Sequence, residues 1–439
     1  MLQPIYFDNL EIDDDANLLN AHERWHQYRL SVSQVTSQSR VLEIGCGQGN
    51  TSIWLAQQTE CEVVGIDKMS ASIDDAQTAL LQHKSLPLTF QTVDFPHLPF
   101  PDQSFTHIWS QNTLSQLPQI QQVLAEIERV LQVDGILILD DLVAPIAEDS
   151  ELAKESVEHS HLMACSLTPK AYTECLNRLG LMVLDSLDLT THLRKSYELQ
   201  LSYWPTHGLD GNSEATFKQT IDAIDAGKLG WWFYSCKKVG DRLQWIHNNN
   251  DTDELRRKYD AWAALYEADL DNSWLMPVHA AHLLEQLQTD PDPYQDSSKE
   301  IAILDAGAGT GKVGQALSQL GYNNITAVDL SVGMLEEARQ KQVYTALYPA
   351  NLEEPLTFAE SETFDVITAI GVFTYGHASP AGLHHLLPLL KPGGLFLITV
   401  RASNQPMLDA FKELSWSLVK QEDYEFETAP FYLLAYRKH

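Results

Sequence analysis

Residues 40–67 read RVLEIGCGQGNTSIWLAQQTECEVVGID, which is the pattern of an apolar strand, a glycine-rich turn, a helix and a second apolar strand that ends in an acid. Residues 301–329, IAILDAGAGTGKVGQALSQLGYNNITAVD, repeat this pattern. The first glycine and the final acid are 22 residues apart in both copies, Gly45 to Asp67 and Gly307 to Asp329. A spacing that recurs once in each half of a chain predicts two related units.

Further strands and helices alternate after each copy. The strand patterns are LTFQTVD, SFTHIWS and GILILDD in the first half, and ALYPANL, TFDVITAI and GLFLITV in the second. Helical patterns lie between them, such as QIQQVLAEIERVLQ and AGLHHLLPLL. Because alternating strands and helices build parallel sheets covered on both faces, we expect an α/β fold with a mainly parallel, seven-stranded sheet in each half. Ligands of such sheets bind at the carboxyl ends of the strands.

The length and the loop-like segments suggest where the domains divide. A chain of 439 residues is too long for one ordinary core. The polar stretch NNNDTDE at 248–254 is a linker candidate, and QTDPDPYQDSSKE at 288–300 reads as a loop. We therefore predict domains at residues 1–245 and 250–439, with a lid segment at about 145–230 in the first.

The composition excludes several classes of partner. The 29 basic and 60 acidic residues give a net charge of −31, which repels nucleic acids and anionic membranes. The five cysteines are scattered and form no CxxC pair, so we expect no disulfide framework and no metal site. The sequence has no signal-peptide pattern and no apolar run long enough for a spanning helix, so we expect a cytoplasmic protein.

Each glycine-rich turn is predicted to bind a nucleoside-containing cofactor. Glycine permits positive φ and close approach of a ligand to the backbone, and the following helix directs free amides at that ligand. The acids Asp67 and Asp329 are placed to accept hydrogen bonds from ribose hydroxyls. A nicotinamide-dependent reductase would use the same arrangement, so this feature alone leaves both cofactors open. The turn residues are Gly45, Gly47 and Gly49, and Gly307, Gly309 and Gly311.

Three further features favour S-adenosylmethionine, one molecule in each domain. Glu43 and Asp305 precede the first glycines, where a carboxylate would repel a pyrophosphate but suits ammonium and sulfonium charges. A polar residue after the third strand is suited to the adenine amino group, and the next apolar residue to the ring. These pairs are Asp94 with Phe95 and Asn351 with Leu352. A glycine turn also leads into a late strand in each half.

With these motifs, both halves resemble class I S-adenosylmethionine-dependent methyltransferases, which implies two Rossmann-like domains. The first half resembles the sarcosine/dimethylglycine and tocopherol-type methyltransferases through SQNTLSQLPQIQQVLAEIERVL, LDLTTHLRKSY and LGWWFYSCKK. Its segment from Asp188 to Tyr197 fits the lid pattern of that family. The chain departs from the family at Gln116, where members commonly carry histidine, and this departure leaves the substrate open.

The second half resembles the methyltransferase-like protein of the Williams–Beuren region. The matching segments are YDAWAALYEADLDNSW, LDAGAGTGKVGQAL, VDLSVGMLEEAR and GVFTYGHA. This resemblance implies only the fold and the cofactor. Tyr259 and Tyr266 are two helical turns apart, so we expect them to share one helix face and to close over the methionine end of the cofactor. Core packing is the competing interpretation.

The acceptor side is predicted on two loops and a lid. In the first half, Gln111 and Asn112 are expected to border the methyl group, and the resemblance implies His192 and Tyr197 as lid residues. His192 is a candidate base because the pKa of histidine lies near neutrality, and a structural or surface histidine is the alternative. In the second half, Tyr375 and His377 follow the fourth strand, where acceptors dock. An apolar loop is the alternative there.

Three functions are consistent with this sequence. The first is a bifunctional methyltransferase in which both domains act on a small molecule, with sequential N-methylation of an amine as one form. The second is one catalytic domain joined to a regulatory, adenosylmethionine-binding domain. The third is a non-catalytic sensor of adenosylmethionine. The acceptor atom stays open among nitrogen, oxygen, sulfur and carbon.

Overall fold

The computed structural model describes residues 16–117, 119–145, 167–203, 211–247, 251–270, 274–288, 299–373, 378–414, 416–426 and 429–439. The chain divides into two compact units, Met1–Gly240 and Asp241–His439. The second unit therefore begins before the predicted linker, because the short helix α8 (Arg242–His247) packs on it. Arg242 pairs with Asp269 at 2.9 Å, and Lys258 Nζ donates to the Trp245 carbonyl oxygen at 2.9 Å.

The first unit alternates strands and helices along most of its length. Its strands are β1 (Arg40–Ile44), β2 (Glu62–Asp67), β3 (Leu88–Thr92), β4 (Phe105–Gln111), β5 (Leu131–Val143), β6 (Leu181–Asp188) and β7 (Gly230–Lys238). Its helices are α1 (Ala16–Ser33), α2 (Asn50–Thr59), α3 (Ser70–Leu80), α4 (Ile120–Val130), α5 (Pro169–Arg178), α6 (Thr190–Tyr203) and α7 (Gly211–Asp225), with 3-10 turns at Leu81–His83 and Leu114–Gln116.

The second unit repeats this arrangement. Its strands are β8 (Ile303–Ala306), β9 (Ile325–Asp329), β10 (Ala346–Pro349), β11 (Phe364–Ala369), β12 (Leu390–Arg401), β13 (Ser417–Phe426) and β14 (Ala429–Arg437). Besides α8, its helices are α9 (Thr252–Trp262), α10 (Tyr266–Asp269), α11 (Met276–Gln288), α12 (Lys312–Gln319), α13 (Val332–Gln340), α14 (Leu383–Leu386) and α15 (Gln405–Lys412). Its 3-10 turns are Ala263–Leu265, Pro380–Gly382 and Leu387–Leu389.

Both units have the same sheet topology, which confirms the predicted fold. The strand orders are β3-β2-β1-β4-β5-β7-β6 and β10-β9-β8-β11-β12-β14-β13. Five strands of each sheet form a parallel series, and the last strand in sequence (β7 in the first sheet, β14 in the second) pairs antiparallel with both of its neighbours. The order reverses between β1 and β4, so the switch point lies at the glycine-rich turn.

The central strands are mostly apolar because helices cover both faces of each sheet, whereas the edge strand β13, SLVKQEDYEF, is polar. Successive residues of β1 show this alternation, since Val41 belongs to one buried cluster and Leu42 to the other. Trp231 of β7 is a core aromatic and is 1% exposed. In the second sheet, Ile303 and Leu304 divide between two clusters in the same way.

The structure refines two local predictions. The end of NNNDTDE is helical: Asp251 caps α9 by accepting from Glu254 N at 2.7 Å, and Asp253 and Glu254 lie in the first turn, where acids are favourable. The pattern AGLHHLLPLL forms only one short α-helix between two 3-10 turns, because Pro388 lacks the amide that would continue it. Most of QTDPDPYQDSSKE (residues 289–298) lies outside the described residues.

Candidate functional site

The three positions of the first turn require glycine for different structural reasons. A side chain at Gly45 would overlap Thr113, and one at Gly49 would come within 2.4 Å of the Phe90 ring. Gly47 has φ of +51°, and nothing lies within 4 Å of the position of its missing Cβ. The second turn has the same pattern: a side chain at Gly307 would overlap Val372, and nothing lies within 4 Å of the missing Cβ of Gly309. The middle glycine of each turn therefore presents bare backbone to an open volume.

Backbone amides orient the acid that ends the second strand. Asp67 accepts from Gly47 N at 3.0 Å and from Met69 N at 2.8 Å, one bond to each carboxylate oxygen. Asp329 accepts in the same way from Gly309 N at 2.8 Å and Ser331 N at 2.9 Å. Each oxygen keeps capacity for a further hydrogen bond, so the two carboxylates are fixed acceptors for ligand hydroxyls.

A cavity of about 450 Å³ lies beside the first turn. This volume is within the range of about 300–1,000 Å³ that small-molecule sites occupy. The predicted residues that line it are Glu43, Gly45, Gly47, Asp67, Phe95 and Gln111, and Asn112 and Gln116 also line it. Gly49 and Asp94 are not among the lining residues: Gly49 faces the Phe90 ring, and Asp94 is exposed.

The carboxylates before each turn are buried and hydrogen-bonded to neighbours. Glu43 accepts from Ser52 Oγ, and burial raises its pKa to about 7. Asp305 accepts from Tyr344 Oη at 2.7 Å and Thr368 Oγ1 at 3.0 Å, and burial raises its pKa to about 6. A cationic ligand group brought near either carboxyl would favour its ionised form.

The second unit has a smaller cavity of about 120 Å³. Its lining includes the predicted residues Tyr259, Tyr266, Gly307, Gly309, Asp329, Asn351 and Leu352. Asp305 and Gly311 are not among them, because Asp305 is buried beneath the turn and Gly311 faces Tyr344 and Ala338. Asn351 also stabilises the turn that it begins, since its Oδ1 accepts from Glu353 N at 3.0 Å.

The two tyrosines belong to residues 251–270, the covering segment. Burial raises the pKa of Tyr259 and also that of Tyr266, the latter to about 12, and the charge of Asp329 adds to both shifts. Both phenols therefore stay protonated near neutral pH. Asp260 anchors the segment by accepting from Ser331 Oγ at 2.6 Å and Gly333 N at 2.9 Å.

Gln111 and Asn112 line the first cavity as predicted, but the other predicted acceptor residues lie away from it or outside the described chain. Of the described residues that line the first cavity, none belongs to the lid helix α6. His192 is half-buried in its first turn, and the Tyr197 ring packs on Phe217 at 5.5 Å between centroids. Burial raises the pKa of Tyr197. Tyr375 and His377 lie outside the described residues.

Sequence reasoning missed a buried polar cluster next to the first cavity. Arg29 of α1 is 1% exposed and pairs with Asp140 at 3.4 Å, while donating to Gln111 Oε1 at 3.1 Å. Asp141, also buried, accepts from Ser115 N at 2.7 Å and so holds the loop after β4. The two consecutive acids inside the apolar run ILILDDLV were the available signal, because a buried acid needs a partner.

The residues of both sites fit adenosylmethionine. In the first unit, the open backbone at Gly47 leaves room for the part of the cofactor that lies against the turn. The oriented carboxylate of Asp67 suits the ribose hydroxyls, and the ring of Phe95 suits the flat adenine base. Asp329, Gly309 and Leu352 supply the same types of group in the second unit. None of the helices in the described part of the chain has the length and apolar character to span a bilayer.

Comparison with known proteins agrees with this geometry. Two family models, each described as a methyltransferase domain, match residues 35–194 and 277–431. The chain is 32% identical over 172 residues to human methyltransferase-like protein 27, across 39% of this chain and 67% of that protein. The chain belongs to the class I S-adenosylmethionine-dependent methyltransferases. It carries two such domains in tandem, hereafter the first and second methyltransferase domains.

Other relatives are more distant. The methyltransferase GfsG of Streptomyces halstedii is 26% identical over 225 residues, across 49% of this chain and 79% of that protein. The glycine/sarcosine/dimethylglycine N-methyltransferase of Actinopolyspora halophila is 26% identical over 230 residues, across 49% of this chain and 40% of that protein. This chain spans less than half the length of that enzyme and of the sterol 24-C-methyltransferase of Schizosaccharomyces pombe.

Solved structures include one of a putative sarcosine dimethylglycine methyltransferase from Galdieria sulphuraria. It has a TM-score of 0.47 and 18% sequence identity, and covers 54% of this chain and 92% of that one.

Proposed function

We propose that this methyltransferase binds one adenosylmethionine in each domain and methylates a small-molecule acceptor. The observation that carries the proposal is shared by the two domains. In each, the acid at the end of the second strand is held by the amide of the open middle glycine and borders a cavity. The chemically equivalent pairs are Gly47 with Asp67 and Gly309 with Asp329.

The donor supplies an electrophilic methyl group, so that a bond forms between acceptor and carbon while the carbon–sulfur bond breaks and its electron pair stays on sulfur. The protein must hold the acceptor in line and exclude water. In the first domain, Asp67 and Gly47 hold the donor side of the cavity. Gln111, Asn112 and Gln116 form the polar side left for the acceptor.

An amine is the proposed acceptor of the first domain. The sequence match of its lid to sarcosine/dimethylglycine-type enzymes supports this, as does the name of the Actinopolyspora halophila relative. After transfer to a primary or secondary amine, the new ammonium group loses a proton to water or to a neighbouring base, whereas a tertiary amine gives a quaternary ammonium that has no proton to lose. His192 and Tyr197 remain the proposed lid residues for this acceptor, reaching it by closure of the lid.

The size of the second cavity favours one alternative. A volume of about 120 Å³ is below the range of small-molecule sites, and Tyr259 and Tyr266 border it. Such a cavity leaves less room for an acceptor beside a cofactor, so a second domain that binds adenosylmethionine without methylating an acceptor and regulates the first is the competing proposal to a bifunctional enzyme.

Calorimetry and turnover together test these proposals. Full-length protein titrated with S-adenosylhomocysteine should bind two equivalents, and one equivalent would reject the two-site model. A panel of small amines, thiols and phenols with labelled donor should then yield an N-methylated product. Asp67→Ala and Asp329→Ala assign turnover to a domain, and a loss of turnover only in Asp67→Ala supports the regulatory alternative. A product methylated on an atom other than nitrogen rejects the amine as acceptor.

A further inference from the structure

Arg29 connects helix α1 to the floor of the first cavity. Its guanidinium is held on several sides: it pairs with Asp140 at 3.4 Å, stacks over the Trp109 ring at 4.6 Å, and approaches the Ser110 carbonyl oxygen at 3.5 Å. It is 1% exposed. Because the guanidinium is buried and held by these contacts, the direction of its NH1 group is fixed.

That donor reaches Gln111, which lines the cavity. Arg29 NH1 lies 3.1 Å from Gln111 Oε1. A guanidinium carries only hydrogen-bond donors, so the amide must turn its oxygen to Arg29. The Gln111 NH2 group is thereby left for other partners, and no partner of it is recorded within the part of the chain that the structure describes.

Gln116 has the opposite polarity on the same cavity. Its Nε2 donates to the Asn112 carbonyl oxygen at 2.6 Å. A carbonyl only accepts, so the amide nitrogen of Gln116 must face the backbone and its oxygen is left on the other side. The two glutamines thus have orientations dictated by the chemistry of their partners: Gln111 offers N–H donors and Gln116 offers a carbonyl oxygen.

We propose that Arg29 is a positioning residue that sets Gln111 as a hydrogen-bond donor in the acceptor pocket, opposite in polarity to Gln116. The proposal rests on the proposed function of the first domain. The acceptor it selects carries a lone-pair atom, such as a carbonyl or hydroxyl oxygen, and also an N–H or O–H group. The first accepts from Gln111 and the second donates to Gln116.

Isosteric charge swaps in the full chain test this inference. In Gln111→Glu, a carboxylate replaces the amide, keeps the contact with Arg29 and offers no donor to the acceptor. In Gln116→Glu, the cavity side presents an oxygen as before, while the hydrogen bond to the Asn112 carbonyl oxygen is lost. Gln121→Glu, an exposed change on α4, controls for added charge. The readouts are KM and kcat for the best acceptor of the panel, and the Kd of S-adenosylhomocysteine.

Gln111→Glu should raise the acceptor KM about tenfold or more, because a hydrogen bond to the acceptor is replaced by repulsion between lone pairs. Gln116→Glu should raise it less, and Gln121→Glu should match wild type. Arg29→Lys keeps the charge beside Asp140 but loses the fork that reaches Gln111, so it should also raise the acceptor KM. A purely structural Arg29 would instead lower kcat and thermal stability together without changing KM. Equal effects of the two cavity swaps would overturn the inference.

A crystal structure of the full chain with S-adenosylhomocysteine gives a readout that needs no acceptor. Contact of Gln111 with Arg29 supports the inference, and a Gln111 side chain turned away from Arg29 overturns it. If the wild type methylates nothing in the panel, the proposed function fails, while this structure still decides the role of Arg29.

Discussion

Tyr344 Oη donates to Asp305 at 2.7 Å and accepts from Gly314 N at 3.2 Å. Gly314 follows the first glycine of its turn by seven residues, as Ser52 does in the first domain, where the serine hydroxyl donates to Glu43. A side chain at Gly314 would overlap the Tyr344 ring at 2.3 Å. The buried carboxyl groups at equivalent positions, Glu43 and Asp305, therefore each accept from a hydroxyl, but the two hydroxyls come from different parts of their domains.

Tyr344→Phe should destabilise the second domain by about 1–3 kcal/mol, because it leaves the buried Asp305 carboxyl short of a partner. Hydrogen exchange of full-length protein measures this by domain: amides of β8 should exchange faster, and those of β1 should not. Ser52→Ala is the matched change and should affect β1 alone. Unchanged exchange in β8 would show that Asp305 does not depend on the tyrosine.

Asp67→Ala and Asp329→Ala should each weaken donor binding in its own domain. A hydrogen bond to a charged group is worth about 1.5–3 kcal/mol, which corresponds to roughly a 10- to 150-fold rise in Kd. Calorimetry with S-adenosylhomocysteine should show one weakened site and one normal site in each variant. Asp67→Asn, which keeps an oxygen for the backbone amides, should be milder. Two unaffected sites in both alanine variants would reject the assignment.

Cutting the chain between Gly240 and Asp241 should give two fragments that each fold. This cut leaves α8 with the second unit, where Lys258 and Asp269 contact it. A cut near Asn249 removes α8 from that unit and should lower its melting temperature. Thermal unfolding of both pairs of fragments makes the comparison, and an equal melting temperature for the two versions of the second unit would contradict the role of α8.

The stability of the first domain should fall as pH rises from about 5 to 7. Burial raises the pKa of Glu43 from 4.5 to about 7, so the folded state holds a proton that the unfolded state has released. One such proton costs at most about 1.4 kcal/mol per pH unit within this window. Burial of Asp140 and Asp141 acts in the same direction.

Glu43→Gln should reduce this slope, as measured by urea unfolding at constant ionic strength across the window. Comparing the variant with wild type separates the contribution of Glu43 to the slope from that of the general repulsion among acidic residues. An identical slope in the variant would mean that Glu43 ionises normally in the folded state.

His192→Ala should lower turnover more than donor affinity, if lid closure brings this residue to the acceptor. Steady-state kinetics at saturating donor, together with calorimetry, separate the two quantities. Lys195→Ala, a half-buried position on the same helix, is the control for a change in α6 that leaves the lid pattern intact. A loss of donor affinity at unchanged turnover would place His192 on the cofactor side.

The fold, with a glycine-rich turn beside a cavity in each half, was predictable because it depends on local patterns. Strand periodicity, the glycine turn and the acid at a fixed distance belong to one continuous segment in each half. The Arg29 cluster was not predictable in the same way, since α1 reaches β4 and β5 from residues far away in sequence. The hydroxyl partner of Asp305 was missed for the same reason: Tyr344 is 39 residues from it.

The anchor at Asp260 has a consequence for protein engineering. It ties the covering segment to Ser331 and Gly333 at the start of α13, just after Asp329 at the end of β9. A chimera that takes residues 251–270 from another methyltransferase would therefore inherit a usable cavity only if its new helix brings a carboxylate to position 260. We therefore expect the covering segment and the start of α13 to be transferable only together, although 71 residues of sequence separate Asp260 from Ser331.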